Sequence, residues 1–326
     1  MCYSAQIQAD YRRFVRHFGA RIDLREFARL YWEREQGRAI AIPKAVDAMF
    51  SDPQTDEERS IHEMIGRFNT LRTIKLEEEL FQQRARLANA ERALQTKTTK
   101  AATESKRIAS DKIAAALRRL ADLRRPELID RDARIFPGNF APVIVMERGE
   151  RVVKPMRYQC RPSGKPASYD TKYPGLYNAR RDSLEGFWKA LFGRSHAVMI
   201  ANAFYENVKN ARVEGQQLRP EEQDKNVVLE FKPRPEGDMF VACLWSHWQE
   251  KNEPDLLSFA AITDEPPPEV AAVGHDRFII ALREKNVDAW LNPAPDDLAA
   301  LYDNLDDRER PKSAFQKPSR LSLRAL

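Results

Sequence analysis

Between Arg67 and Arg125 the chain contains neither glycine nor proline. The span is built largely from Ala, Leu, Glu, Gln, Lys and Arg, the residues that lose least on entering a helix. One unbroken helix of that length would reach roughly 90 Å at 1.5 Å per residue, more than a lone helix sustains without packing. Apolar residues recur at Ile61, Ile65, Phe68, Leu71, Leu80, Leu87 and Leu94, and resume at Ile108, Ile113, Leu117, Leu120 and Leu123. The polar run Gln95 to Lys100 separates the two sets. The pattern predicts a helical hairpin or a bent long helix inserted over residues 51–126, with its weak point at that run. Residues 67–125 carry 15 Lys and Arg against 7 Asp and Glu, a net +8, while the whole chain is only +5. Any contact with nucleic acid must therefore be made by local basic patches rather than by the chain as a polycation. The hairpin has three open roles: packing its apolar stripe, extending a basic track, or meeting a protein partner.

The flanking sequence has a different texture. Residues 8–35 read as two short amphipathic helices split by Gly19, with Leu24, Phe27, Leu30 and Tyr31 on one face of the second. After Pro126, β-type runs appear at Ala141–Met146, Ala197–Ala203, Val227–Phe231, Met239–Leu244, Leu257–Thr263 and Phe278–Leu282, separated by Pro, Gly and Asn. Residues 184–192 and 287–305 read as helices. This predicts an α+β fold, a mostly antiparallel β-sheet with peripheral helices and the inserted hairpin. Residues 1–50 and 127–310 would form one discontinuous domain, followed by a basic tail, 311–326, expected to be disordered. Three cysteines, Cys2, Cys160 and Cys243, do not make a disulfide framework and fit a reducing compartment. With no signal-peptide core at the start and no run of about 18 apolar residues, the expectation is a cytoplasmic monomer with no membrane contact.

Four local signals bear on chemistry. The first is Cys2, behind a Met1 of the kind that is removed before a small residue. A cysteine at a free N-terminus carries an amine that ordinarily titrates at about 7.7–8.0 beside a thiol at about 8.5. Together they can capture an aldehyde, first as an imine and then as a five-membered thiazolidine, the closure gaining from proximity. The second is Glu206, closing the run Ile200-Ala201-Asn202-Ala203-Phe204-Tyr205-Glu206. A carboxyl beside aromatics can be partly desolvated and suited to general acid work, although a strand-end glutamate is more often simply solvated. The third is His275 in Gly274-His275-Asp276-Arg277, a plausible acid or base, where a lone histidine is more often structural. The fourth is the pair Arg180-Arg181, which suits phosphate contact or plain solvation. The remaining histidines, His17, His62, His196 and His247, lack metal-ligand spacing. No glycine-rich phosphate loop occurs, so no cofactor is expected.

Taken in order, these signals resemble the SRAP family, the SOS response-associated peptidases. The family's Met-Cys start is matched by Met1-Cys2 and its Pro-Val-Ile strand by Pro142-Val143-Ile144. Asn178-Ala179-Arg180, Phe204-Tyr205-Glu206, Leu244-Trp245 and His275-Asp276-Arg277 follow. The resemblance implies a DNA-damage protein that binds single-stranded DNA and crosslinks to abasic sites through a Cys2 thiazolidine, with autoproteolytic removal of whatever precedes the cysteine. It implies that Asn178 holds the N-terminal amine, that Glu206 serves as acid and base in opening the deoxyribose, and that His275 assists proton transfer. Arg180 and Arg277 would grip phosphates flanking the lesion, with Arg157 beside them and Tyr158 stacking on a base. The family's usual Met-Cys-Gly-Arg start reads Met1-Cys2-Tyr3-Ser4 here, so its arginine is missing. Competing readings are an N-terminal-nucleophile cysteine amidohydrolase and a non-catalytic nucleic-acid-binding protein.

Overall fold

The computed structural model describes residues 4–214, 224–233, 235–272, 274, 277–309 and 314–316. The chain opens with β1 (Ser4–Ile7), α1 (Tyr11–Arg16), β2 (Arg21–Ile22), α2 (Leu24–Glu35) and α3 (Lys44–Ala48). Two long helices follow, α4 (Asp56–Thr96) and α5 (Lys100–Arg124). Then come β3 (Arg134–Ile135), β4 (Phe140–Glu147), β5 (Glu150–Tyr158), α6 (Tyr169–Lys172), β6 (Asn178–Arg180), β7 (His196–Lys209), α7 (Asn210–Glu214), β8 (Asn226–Lys232), β9 (Met239–Trp248) and β10 (Leu256–Asp264). The chain continues through α8 (Pro268–Ala272), β11 (Phe278–Ile279), β12 (Ala281–Leu282), α9 (Val287–Leu291), α10 (Leu298–Asp306), β13 (Arg308–Glu309) and β14 (Ala314–Gln316).

The chain divides into two compact units. The first comprises residues 1–30, 39–52 and 129–326 and is built on a closed ladder, β7–β4–β5–β10–β9 and back to β7. Only the β5–β10 pairing in that ring is parallel; β4–β5, β4–β7, β7–β9 and β9–β10 are antiparallel. Closure leaves the barrel strands without free edges. Extra strands extend it: β1 on β7, β6 on β10 and β8 on β7. Apolar side chains fill the strands on both faces, as in β9, where Met239 to Leu244 are all buried. Phe204 stacks on Phe231 at 4.8 Å and meets Phe278 edge-on.

The second unit comprises residues 31–38 and 53–128. Its hairpin turns at Lys97, whose extended backbone (φ −155°, ψ 129°) ends α4, and Thr99 caps α5 by accepting from the Ala102 N–H. Thr55 caps α4 in the same way, and Asp56, Glu57 and Glu58 crowd its positive end. The seam between the helices is finer than the large apolar residues indicated. Ala102, Ala109 and Ala116 are buried at seven-residue spacing, and so are Leu76 and Ala90 on α4, fourteen apart. Small residues at that period let two helices pack along a heptad seam. By contrast Leu71 and Leu117 of the expected stripe are exposed, and so is Phe81 beside it, by 75%.

Other expectations need correction. Residues 184–192 form successive turns rather than a helix. The region 287–305 is two helices, α9 and α10, because Pro293 and Pro295 interrupt it. In the tail expected to be disordered, Ala314–Gln316 pair with β8, and the remainder lies outside the described residues. No helix among the described residues is long and apolar enough to cross a membrane.

Candidate functional site

The candidate residues that are described lie on two parts of the barrel unit, the β1–β7 pair and the β6 segment with its following turn. β1 runs antiparallel to β7, with Ser4 opposite Tyr205 and Ala5 opposite Phe204. The start of the described chain therefore lies one residue along β7 from Glu206, whose carboxyl is buried at 1% exposure. Cys2 itself and His275 lie outside the described residues. The other two cysteines are buried, and burial pushes the Cys160 thiol up to about 12 and raises that of Cys243 as well. Neither offers a thiolate near neutral pH.

A clamp that the sequence did not reveal holds β1 in this place. Arg134, at the start of β3, donates from Nε and Nη2 to Ser4 Oγ at 3.0 and 2.9 Å. Its guanidinium also lies 3.8 Å from the Tyr205 ring centroid and 5.0 Å from that of Phe136, within cation–π range. The Tyr205 hydroxyl is shared between Gln6 at 2.9 Å and Glu230 at 2.8 Å. Burial, then the Glu230 carboxylate, push that phenol upward, while Arg134 opposes them. Arg134 thus brings a guanidinium to the N-terminal strand of a chain whose fourth residue is a serine. With 130 positions between Arg134 and Ser4, no local pattern could have announced the pair.

Asn178 opens β6, which pairs in parallel with β10 through Ala261. Its side chain is buried, and among the described residues neither its amide nitrogen nor its oxygen has a hydrogen-bond partner. Two residues on, Arg180 pairs with Asp182 at 2.8 Å, and Arg277 reaches the same aspartate at 3.4 Å. Three of the expected residues are thus placed on or beside the short β6 segment and its turn: Asn178, Arg180 and Arg277.

The other two expected DNA contacts stand differently. Tyr158 is 2% exposed and packed between Tyr177 and Phe259 at 5.6 and 5.2 Å. It is a core residue, and the expectation that it offers a face to a base is corrected: its ring is already stacked inside. Arg157 pairs with Asp170 at 2.7 Å, and Arg161 holds the same carboxylate while lying over the Trp248 ring. Burial would raise Asp170, but hydrogen bonds from Arg161 and Arg157 outweigh it and hold the carboxyl below its usual range. The pair Arg180-Arg181 also divides. Arg181 is fixed by Asp306 at 2.6 and 2.8 Å and by Asp264 at 3.1 Å, and these bonds, led by Asp306, push its guanidinium further up.

With this geometry in view, the comparison with protein families decides the assignment. The profile of the SOS response associated peptidase (SRAP) family matches residues 64–316. The chain belongs to the SRAP family. The matched region starts within α4 and so includes α5 as well as the barrel strands from β3 onward. A crystal structure from Bordetella bronchiseptica is 18% identical, with a TM-score of 0.44, covering 59% of this chain and 90% of its own. A phage-related protein from the same organism is 16% identical at a TM-score of 0.43, covering 60% and 84%. A protein from Bacteroides thetaiotaomicron is 14% identical at 0.42, covering 51% and 69%. At these scores the three structures carry no weight for function. The comparison with curated proteins found no match.

Proposed function

We propose that this SRAP protein binds single-stranded DNA and bonds covalently to abasic sites through Cys2, once Met1 and anything preceding it have been removed, in part by the protein's own peptidase activity. The supporting observation is the register of β1 on β7. Ser4 sits opposite Tyr205, next to buried Glu206, and Cys2 precedes Ser4 by two residues. Chain connectivity alone keeps the Cys2 Cα within about 7.6 Å of the Ser4 Cα.

The chemistry follows from the groups involved. Glu206 accepts the hemiacetal hydroxyl proton of the abasic deoxyribose as the ring opens and returns a proton to the ring oxygen, which frees the aldehyde. The Cys2 amine adds to the carbonyl, and loss of water leaves an imine. The Cys2 sulfur then bonds to the imine carbon while its proton passes to nitrogen, closing the thiazolidine. His275 is assigned to that proton transfer, and the unpaired Asn178 side chain to holding the amine. Arg180 and Arg277 are assigned to the flanking phosphates.

Incubation with single-stranded DNA containing one abasic site, followed by denaturing electrophoresis, tests the reading. A stoichiometric, denaturation-resistant adduct is expected. Cys2→Ala should abolish it and keep most DNA affinity, because phosphate contacts supply most of that affinity. Intact mass should show Cys2 as the first residue. An adduct that persists in Cys2→Ala overturns the mechanism.

A further inference from the structure

The two arginines assigned to phosphates converge on one acid. Arg180 Nη2 donates to Asp182 Oδ2 at 2.8 Å, and Arg277 Nη2 points to the same oxygen at 3.4 Å. The other Asp182 oxygen accepts from Ser183 Oγ at 2.9 Å. One anionic oxygen shared by two guanidinia is the arrangement a DNA phosphate oxygen would adopt between them. We propose that Asp182 is a built-in placeholder for a backbone phosphate: its carboxylate fills the seat between Arg180 and Arg277 in the unbound protein and leaves it when a strand binds. The inference rests on the reading of the chain as a single-stranded DNA binder.

Three further observations favour exchange at this pair over its neighbours. Arg180 and Asp182 are exposed, at 53% and 54% of their side chains, so water and salt screen the bond and little is lost when it breaks. Arg181 and Arg308 converge on the less exposed Asp264, at 3.1 and 2.8 Å, where a strand cannot substitute as cheaply. Asp182 also lies in the short 3-10 turn Arg181–Ser183 that follows β6, so its carboxylate can swing away by side-chain rotation while the backbone of the turn stays put. The consequence is selectivity. The aspartate keeps both guanidinia aimed at one point and makes every incoming anion compete for it, so an isolated anion gains less than a polyphosphate strand with contacts elsewhere.

The test is binding of an unmodified single-stranded oligonucleotide, followed by fluorescence anisotropy at fixed salt. Asp182→Asn removes the competing charge and keeps the shape. It should tighten binding about two- to fivefold, the range of an exposed ion pair, beyond any gain from Asp296→Asn, an exposed acid outside this cluster. The gain should vanish when Arg180 and Arg277 are both alanine. No gain, a gain equal to that of Asp296→Asn, or an equal gain in the double-alanine background overturns the placeholder. If parent protein binds and crosslinks normally in those cases, only this inference falls. If parent protein neither binds nor crosslinks DNA, the functional reading fails and takes the inference with it.

Discussion

His196 is a buried histidine that the fold obliges to stay neutral, which gives a prediction with a definite sign. Its Nε2 accepts from the Gly193 N–H at 2.9 Å, so Nδ1 must carry the proton and donate to the Trp290 carbonyl at 2.9 Å. The ring also stacks on Trp290 at 3.9 Å. A second proton would have to sit on Nε2, facing another N–H. Burial is the larger cause and the Trp290 carbonyl opposes it; the outcome is a pKa lowered from 6.5 to about 4. Between those values the unfolded chain binds a proton that the folded chain refuses, so stability falls with falling pH. The contribution is intact above about pH 6.5 and is lost as pH drops toward 4. At 1.36 kcal/mol per unit, the loss from pH 7 to pH 5 is about 2 kcal/mol, in a window where ordinary carboxylates have barely begun to titrate. Urea denaturation at pH 7, 6, 5.5 and 5 should show this fall in the parent, and His196→Phe should flatten it whatever its absolute stability. In the parent with ¹³C-labelled histidine, the His196 ring resonance should hold still until about pH 4. A His196 midpoint near 6.5, or an equal fall in the variant, refutes the argument.

Two other outcomes are expected. Arg134→Ala removes two charge-assisted hydrogen bonds to Ser4 and a cation–π contact, and should cost about 2 kcal/mol in urea denaturation; an unchanged midpoint would show that these contacts are idle. Replacing residues 60–125 with a short Gly/Ser linker should reduce the salt slope of single-stranded DNA binding by about 0.7 per lost phosphate contact. An unchanged slope in a variant that folds and crosslinks would reject DNA contact by the hairpin.

The α+β architecture was legible because its signals are periodic. Gly- and Pro-free helix formers marked α4 and α5, and all six expected β-type runs are strand, except that Ile280 separates β11 from β12. What escaped was set by partners far away in sequence. β5 alternates in burial less cleanly than its length would suggest, because β4, β10 and β2 all pair with it. The hairpin seam uses alanine, which a search for large apolar residues passes over. Residues 184–192 have helical composition, yet Gly186 lies within the stretch and Gly193 follows it, with a φ of +78° that a continuing helix cannot accommodate.

The site was legible as residue types and illegible as electrostatics. Each arginine picked out from the sequence is paired in the fold with an acid that was not: Arg157 with Asp170, Arg180 and Arg277 with Asp182, Arg181 with Asp264 and Asp306. Sequence reports charge, but the strength of a pair depends on distance and on how much water surrounds it. By that measure the arginines are not equivalent. Arg157 with Asp170, and Arg181 with Asp264, pair side chains that are mostly withdrawn from solvent, where breaking the bond would leave a charge unpaired at low dielectric. Arg180 and Asp182 meet in the open, and Arg277 approaches that acid only at 3.4 Å, long for a charged hydrogen bond. By exposure Arg180 is therefore the arginine whose present partner is most readily exchanged, Arg277 shares that partner from a side chain only 15% exposed, and Arg157 and Arg181 are held in more withdrawn pairs.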